Sequence, residues 1–294
     1  MFRRSKFKLR LPSGTLALGE RTLVMGILNV TPDSFSDGGK FLDVSAAVER
    51  ALEIERAGAD TIDLGGESTR PGSEPISADE ELRRVIPVLE ALRGRLTIPI
   101  SIDTSKPEVA EAAAATGAEI LNDVSALRAG PAMAEIARRR KLPLILMHMR
   151  GEPRTMQQKP FARDVLRDVT SGLRKALGIA RRAGVPKSQI VLDPGLGFGK
   201  STAQNFELLA RLRELARIGC PLLVGASRKG FVGRVLGGAA ASDRVWGTAA
   251  AVSAAILAGA HIVRVHDVAE MAQVARIADA ILDPRLAAKS ARTK

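Results

Sequence analysis

Eight short runs of nearly unbroken apolar character recur along the chain: Leu23–Val30, Thr61–Gly65, Ile98–Asp103, Ile120–Val124, Pro143–His148, Ile190–Asp193, Pro221–Gly225 and Ile262–His266. They lack the polar alternation of a half-exposed strand, so they predict strands covered on both faces, as in a parallel sheet. Segments of three-to-four period lie between them, among them Val44–Ala57, Ala78–Leu92, Pro107–Ala115 and Asn205–Ile218. Val44, Val48, Ala51 and Leu52 show the spacing of an amphipathic helix, and Ser77 with Glu80 three residues on reads as an N-cap. Gly58, Gly117, Gly184, Gly219 and Gly259 follow helical segments, where a left-handed C-cap is wanted.

Eight β-then-α units predict an α/β protein of the (β/α)₈ TIM-barrel class, a single domain, with a doubly wound open sheet as the alternative. Residues 1–22 precede the first run. In them Lys8–Leu11, a Pro-Ser-Gly turn and Leu16–Leu18 predict a small hairpin closing the barrel's bottom. The barrel is expected over 23–283 and a basic tail over 284–294.

The chain has 294 residues, 46% hydrophobic and 26% charged. A chain this long buries roughly three-quarters of its unfolded surface, so it needs no covalent staple. Cys220 is the only cysteine, which excludes an internal disulfide and suits a reducing compartment. No apolar run approaches the roughly 20 residues of a membrane span, and the basic N-terminus lacks the apolar segment of a secretory signal. The cytoplasm is the expected location, with no membrane partner. The net charge of +12 raises the question of nucleic acid. Aromatics are only 3% and tyrosine is absent, so stacking platforms are hard to build, and no nucleic-acid-binding motif is present. The charge reads instead as a basic surface with two basic tails, Arg3–Arg10 and Lys289–Lys294, able to steer an anionic substrate.

Polar groups gather at the C-terminal ends of the runs, where barrel enzymes place their sites. Asn29 ends the first run and Asp63 lies in the second. Asp103 ends the third, Asn122 and Asp123 lie in the fourth, His148 ends the fifth and Asp193 the sixth. Ser227, Arg228 and Lys229 follow the seventh, and Arg264, His266 and Asp267 close the eighth. An inward carboxylate in an apolar strand costs several kcal/mol unless paired or used, and a structural ion pair accounts for only one or two of these. Two connections, Asn29–Gly39 and Gly65–Gly72, are long and rich in small polar residues, the composition of substrate-closing loops. In Asp193–Lys200 the glycines lack P-loop and dinucleotide-binding spacing, and are expected to let a planar ligand approach the backbone.

Together these phrases resemble the dihydropteroate synthase family. The resemblance rests on Met25–Gly39, Gly65–Gly72, Ile102–Pro107, Leu121–Asp123, Leu146–Met149, Asp193–Gly199, Ser227–Gly230 and Arg264–Asp267, in order from about Leu23 to Ile281. It implies condensation of 6-hydroxymethyl-7,8-dihydropterin pyrophosphate with p-aminobenzoate to give 7,8-dihydropteroate and pyrophosphate in folate biosynthesis, and a sulfonamide target. Asp103, Asn122, Asp193 and Lys229 would bind the pterin. Asn29, Thr69, Arg70, Arg264 and His266 would bind the pyrophosphate, with Asn29 the protein ligand of a Mg2+ ion. Phe35, Thr69, Pro71, Phe198, Ser227 and Lys229 would border p-aminobenzoate, its carboxylate near Ser227 and the start of the following helix. Asp103, Lys229, Arg264 and His266 would carry catalysis, by positioning and by stabilising the departing charge. Asp63 and Asp123 are expected to orient these groups and Met147 to line the pterin face, while His148 is expected at the rim. Family members are often homodimers.

Two other readings remain at this point. A pterin-binding methyltransferase module shares the barrel and the Asp/Asn edge, but has no need of Phe35-Ser36-Asp37, Ser68–Pro71 or Ser227–Lys229. A non-catalytic pterin-binding paralogue would keep the fold without the activity.

Overall fold

In the computed structural model, residues 4–31, 44–68, 72–152, 155–156 and 163–290 are described, the side chains of the last three excepted. A hairpin comes first, β1 (Phe7–Leu11) against β2 (Gly14–Leu18), antiparallel. Eight strands follow: β3 (Leu23–Asn29), β4 (Thr61–Gly65), β5 (Ile100–Asp103), β6 (Ile120–Asp123), β7 (Leu144–Met147), β8 (Ile190–Asp193), β9 (Leu223–Val224) and β10 (Ile262–Val265). Each pairs in parallel with the next, β10 pairs with β3, and a bridge from Leu192 to Leu222 joins β8 to the start of β9. The ring is a (β/α)₈ barrel, not an open sheet. Around it pack α1 (Val44–Arg56), α2 (Ala78–Leu92), α3 (Pro107–Thr116), α4 (Ala132–Arg140), α5 (Val165–Arg182), α6 (Thr202–Ala210), α7 (Leu212–Ala216), α8 (Gly230–Val235), α9 (Val245–Leu257), α10 (Val268–Leu282) and α11 (Arg285–Ser290).

The local signals act as expected. Ser77 Oγ accepts from Glu80 N–H, and the five glycines that follow helices all have positive φ. Strand β9 is shorter than its apolar run because Leu222 gives its N–H to His261 Nδ1 instead of to a ladder. The segment Asn205–Ile218 is two helices, broken at Arg211, whose side chain bridges Glu207 and Glu214.

Alternation within the strands builds the interior in layers. Outward residues such as Val24, Ile62, Ile102, Leu121, Leu146, Leu192 and Val263 pack under the helices. Inward at the bottom, Leu23, Met25, Ile120, Ile145, Val191, Leu223 and Ile262 form a second apolar cluster, sealed from below by Leu9 and Leu18 of the hairpin. Burying each of those two leucines contributes about 2 kcal/mol. One layer higher, the inward positions are Asp63, Asp103, Asn122, Asp193 and Arg264.

In the basic N-terminal segment Lys6, Lys8 and Arg10 are exposed, but Arg4 is not solvated. Arg4, 3% exposed at its side chain, donates to Asp279 Oδ1 at 2.5 Å, Thr22 Oγ1 at 2.6 Å and the Ala260 carbonyl at 2.9 Å. At the other end, the expected tail begins with the short helix α11.

Candidate active site

Four members of the polar layer, Asp63, Asp103, Asn122 and Arg264, form one hydrogen-bonded set. Asp63, fully buried on β4, accepts on one oxygen from Arg264 Nε at 2.5 Å and Asn122 Nδ2 at 2.8 Å. Arg264 Nη2 donates to Asp103 Oδ2 at 2.7 Å. Asp103 Oδ1 is buried with no hydrogen-bond partner among the described residues, and such a group costs about 1–3 kcal/mol unless something binds it. Asp193 Oδ1 accepts from Gly195 N–H at 2.7 Å. Above this set lies a small pocket lined by Asp103, Asn122, Asp193, Lys229 and Arg264, with Val124, Met147, Leu196, Phe198 and Gly225 as its less polar walls.

Burial dominates the electrostatics. It pushes Asp103 up to about 7, Arg264 opposing and Asp63 adding repulsion. It raises Asp193 to about 6 against the Gly195 N–H and Lys229. It lowers Lys229 to about 8, with Arg264 pushing the same way and Asp193 opposing. Burial also works against the Arg264 charge, yet Asp63 and Asp103 hold the guanidinium above its ordinary value. Two acids and one amine near neutrality in one pocket are the mark of a functional site.

Each loop places its residues by a specific device. Arg228 adopts a left-handed φ of 57°. Its N–H goes to Thr248 Oγ1 and its guanidinium grips Asp267. This turn lets Ser227 meet His266 while Lys229 reaches the pocket. Ser227 Oγ accepts from the His266 backbone N–H at 3.1 Å and lies 3.1 Å from its Nδ1. Burial, then Arg264, Arg228 and Lys229, drives the His266 ring down to about 3. The ring is therefore held in its neutral form in the ligand-free protein, with Nδ1 engaged by the serine hydroxyl and Nε2 left toward the site.

Two glycines of Asp193–Lys200, Gly195 and Gly199, are required where backbone meets backbone. A Cβ on Gly195 would stand 1.9 Å from the His148 carbonyl oxygen, and one on Gly199 2.1 Å from that of Arg150. The loop thus lies hard against the exit of β7, with Gly195 also beside the Met147 side chain and Gly197 beside that of Lys229. Lys229 Nζ sits 4.0 Å from the centroid of Phe198, a cation–π contact.

Asp103, Asn122, Asp193, Lys229, Arg264 and Phe198 therefore meet in one pocket, with Met147 in its wall, while Ser227 and His266 form a pair beside it. Asn29 stands at the end of β3 next to Gly65. Phe35, Thr69, Arg70 and Pro71 lie outside the described residues. Asp123 is not a support for the pocket. It accepts from Ser125 and from Leu127 N–H, and so shapes the turn after β6. His148 is buried against Gly172, with Nε2 3.6 Å from Asp168, and does not line the pocket.

The model of the pterin binding enzyme family matches residues 25–266. A dihydropteroate synthase of Synechocystis sp. is 50% identical over 263 residues, covering 90% of this chain and 91% of its own. The chain belongs to the dihydropteroate synthases. Among solved dihydropteroate synthases, that of Xanthomonas albilineans with 4-aminobenzoic acid superposes with a TM-score of 0.88 at 43% identity, covering 95% of this chain and 99% of its own. That of Yersinia pestis in a sulfonamide drug complex gives 0.88 at 44% identity, over 95% and 100%.

Sequence reasoning passed over three residues that frame this dihydropteroate synthase pocket. Lys200 is buried in the Gly195–Gly199 loop, and burial lowers it to about 7 against Asp193 and Asp168. Asn205 clasps the same loop, accepting from Gly197 N–H at 2.6 Å. Lys106 joins Glu67 at 2.8 Å and the buried Glu81 at 2.5 Å, while Glu67 Oε1 accepts from Ile76 N–H. A lysine inside a glycine-rich phrase was the one available signal.

Proposed function

We infer that the chain condenses 6-hydroxymethyl-7,8-dihydropterin pyrophosphate with p-aminobenzoate, giving 7,8-dihydropteroate and pyrophosphate. The observation that carries this reading is the acceptor set at the barrel's exit: the buried, unpartnered Asp103 Oδ1 beside Asp193 and Asn122. A pterin offers a guanidine-like edge of N–H donors next to a carbonyl. Two carboxylates match the donors, the Asn122 amide reads a neighbouring donor or acceptor, and Lys229 meets the carbonyl or ring nitrogen. Such bonds to charged groups are worth about 1.5–3 kcal/mol each.

The leaving pyrophosphate would lie outward of the pterin, toward Asn29, Thr69, Arg70, His266 and the Arg264 Nη1, which has no partner among the described residues. Two of the three Arg264 nitrogens already hold Asp63 and Asp103, so its contribution to the pyrophosphate is mainly its field. The aminobenzoate ring would pack against Phe198, with Phe35, Thr69 and Pro71, and its carboxylate would face Ser227 and Lys229. The aryl nitrogen attacks the methylene carbon as the carbon–oxygen bond breaks. Pyrophosphate leaves with the electron pair and the amine proton passes to it. No protein base is needed, because an aryl amine is unprotonated at neutral pH. Alignment and fixed charge carry the rate.

A magnesium ion suits the donor chemistry at Asn29, an amide oxygen with no hydrogen bond among the described residues. Magnesium commonly takes few protein ligands and completes its shell with phosphate and water. When bound it would draw charge from the leaving pyrophosphate.

Among the described residues no helix is long and apolar enough to cross a membrane. With Cys220 the lone, buried cysteine, this supports the cytoplasm as the location. A homodimer is supported by an exposed apolar patch where α8 ends and α9 begins: Val235, Leu236 and Trp246, the last 80% exposed. Sedimentation equilibrium, compared with Trp246→Lys, tests it.

The function itself is tested by incubating the protein with pterin pyrophosphate, p-aminobenzoate and magnesium. Dihydropteroate should appear in step with pyrophosphate. Pterin binding without product would point to a binding paralogue instead.

A further inference from the structure

Lys200 carries no expected role, yet its surroundings are specific. The side chain is buried, and its Nζ donates to the Gly195 carbonyl at 2.8 Å, the Phe198 carbonyl at 3.0 Å and the His148 carbonyl at 3.2 Å. Three N–H groups meet three acceptors, which only the ammonium form satisfies in full. Two carbonyls belong to the loop after β8 and the third to the end of β7, so one side chain fastens the loop to its neighbouring strand.

What the loop presents to the pocket depends on that fastening. Gly195 offers its carbonyl to Lys200 and its N–H to Asp193 Oδ1, so the ammonium and the pocket carboxylate hold opposite sides of one residue. Phe198 offers its carbonyl to Lys200 and its ring to Lys229. Asn205 secures the remaining corner, taking Gly197 N–H and donating to the Lys200 carbonyl. The close approach that leaves no room for a Cβ at Gly195 or Gly199 is the geometry these bonds maintain.

We propose that Lys200 is a positioning residue of the condensation: it locks the Gly195–Phe198 backbone to the end of β7 and so fixes where the Phe198 ring and the Asp193 carboxylate meet substrate. The proposal rests on the reading of the pocket as a pterin and aminobenzoate site. Lys200 touches neither substrate in this scheme. Phe198 borders the second substrate, whereas the pterin keeps Asp103, Asn122 and Lys229, so the effect falls chiefly on aminobenzoate.

The test compares the wild type with Lys200→Met, which removes all three donors, and Lys200→Gln, which keeps two. Steady-state kinetics should give Lys200→Met an aminobenzoate KM raised about tenfold with kcat changed less, and Lys200→Gln a smaller rise. Amide hydrogen exchange should accelerate in residues 195–199 and stay unchanged in β5 and β6. In the ligand-free wild type those loop amides should exchange as slowly as the barrel strands, a measurement that stands even where a variant fails to fold. Fast wild-type exchange in the loop overturns the proposal. So does an unchanged KM in a folded variant, or faster exchange spread over the whole barrel. A wild type without synthase activity whose loop still loosens in the variants would sink the functional reading and leave the lock intact.

Discussion

Arg264 Nε lies 2.5 Å from Asp63 Oδ2, at the centre of the barrel and below the pocket. The same oxygen accepts from Asn122, so one buried carboxylate sets the position of a guanidinium and of an amide. Removing a single partner from a buried pair leaves the other charge uncompensated, at about 3–5 kcal/mol. Asp63→Ala should therefore lose about that much stability in urea unfolding, and pterin affinity should fall with it although Asp63 does not line the pocket. A loss below about 1 kcal/mol would show that Asp103 alone holds Arg264.

How this network relates to the sequence shows what local pattern can and cannot reveal. Asp63, Asp103, Asn122 and Arg264 were legible as strand-end polar groups because each interrupts an apolar run. Their pairing was not: Arg264 and Asp63 are 201 positions apart in the chain, and they meet only because β10 and β4 flank β3 in a closed ring. Strand runs, the Ser77 cap and the glycine C-caps depend on neighbours within a few residues, and these were readable. Arg4 looked like part of a charged tail because nothing nearby marks Asp279 as its partner. Lys200 was hidden for a similar reason, since two of its acceptors are close in sequence but the third, on His148, comes from another strand. The backbone packed beside Gly195 and Gly199 was hidden too, because composition does not say what fills the space beside a glycine.

The raised carboxylates give pterin binding a pH dependence. Asp103 at about 7 and Asp193 at about 6 lie above the ordinary value near 3.9. A folded-state pKa raised above the unfolded one stabilises the fold at low pH, and that contribution is lost as pH rises through the folded value. The ligand-free protein should thus lose stability between about pH 4 and pH 7 on account of these two groups. The pterin edge donates to the ionised carboxylates, so its affinity should climb over the upper part of that range. Near pH 6.5 binding should release protons, seen as a buffer-dependent calorimetric enthalpy. Asp103→Asn should remove most of that release and weaken pterin binding by about tenfold or more, an acceptor having become a donor. Proton uptake on binding would contradict the assignment.

His266 gives a sharper contrast between two substitutions. Burial favours its neutral ring, Nδ1 is engaged with Ser227, and Nε2 is the ring nitrogen left to donate to a phosphate oxygen. A neutral amide can imitate that donor, so His266→Gln should keep kcat within about tenfold of the wild type. His266→Ala, which removes the donor and exposes Ser227, should lose about a hundredfold. Equal losses in the two variants would mean that the imidazolium charge is what matters, and the neutral-donor account would fail.

The metal requirement should run through the substrate. Among the described residues no three His, Cys, Asp or Glu side chains stand together as a metal cage, and Asn29, at the end of β3, supplies a neutral oxygen. Magnesium is reluctant to shed water and is held most readily where phosphate oxygens complete its octahedron. Calorimetry should therefore detect only weak magnesium binding to the ligand-free protein, and much tighter binding once pyrophosphate is present. Asn29→Ala should raise the magnesium concentration needed for half-maximal rate by about tenfold, since one of few protein ligands is gone, while pterin affinity without pyrophosphate stays the same. The two measurements separate cleanly. A variant that binds free pterin poorly has lost the pocket itself, whereas one that needs more magnesium has lost only its hold on the leaving group. Tight magnesium binding by the ligand-free wild type would place the ion on protein groups other than Asn29 and overturn this account.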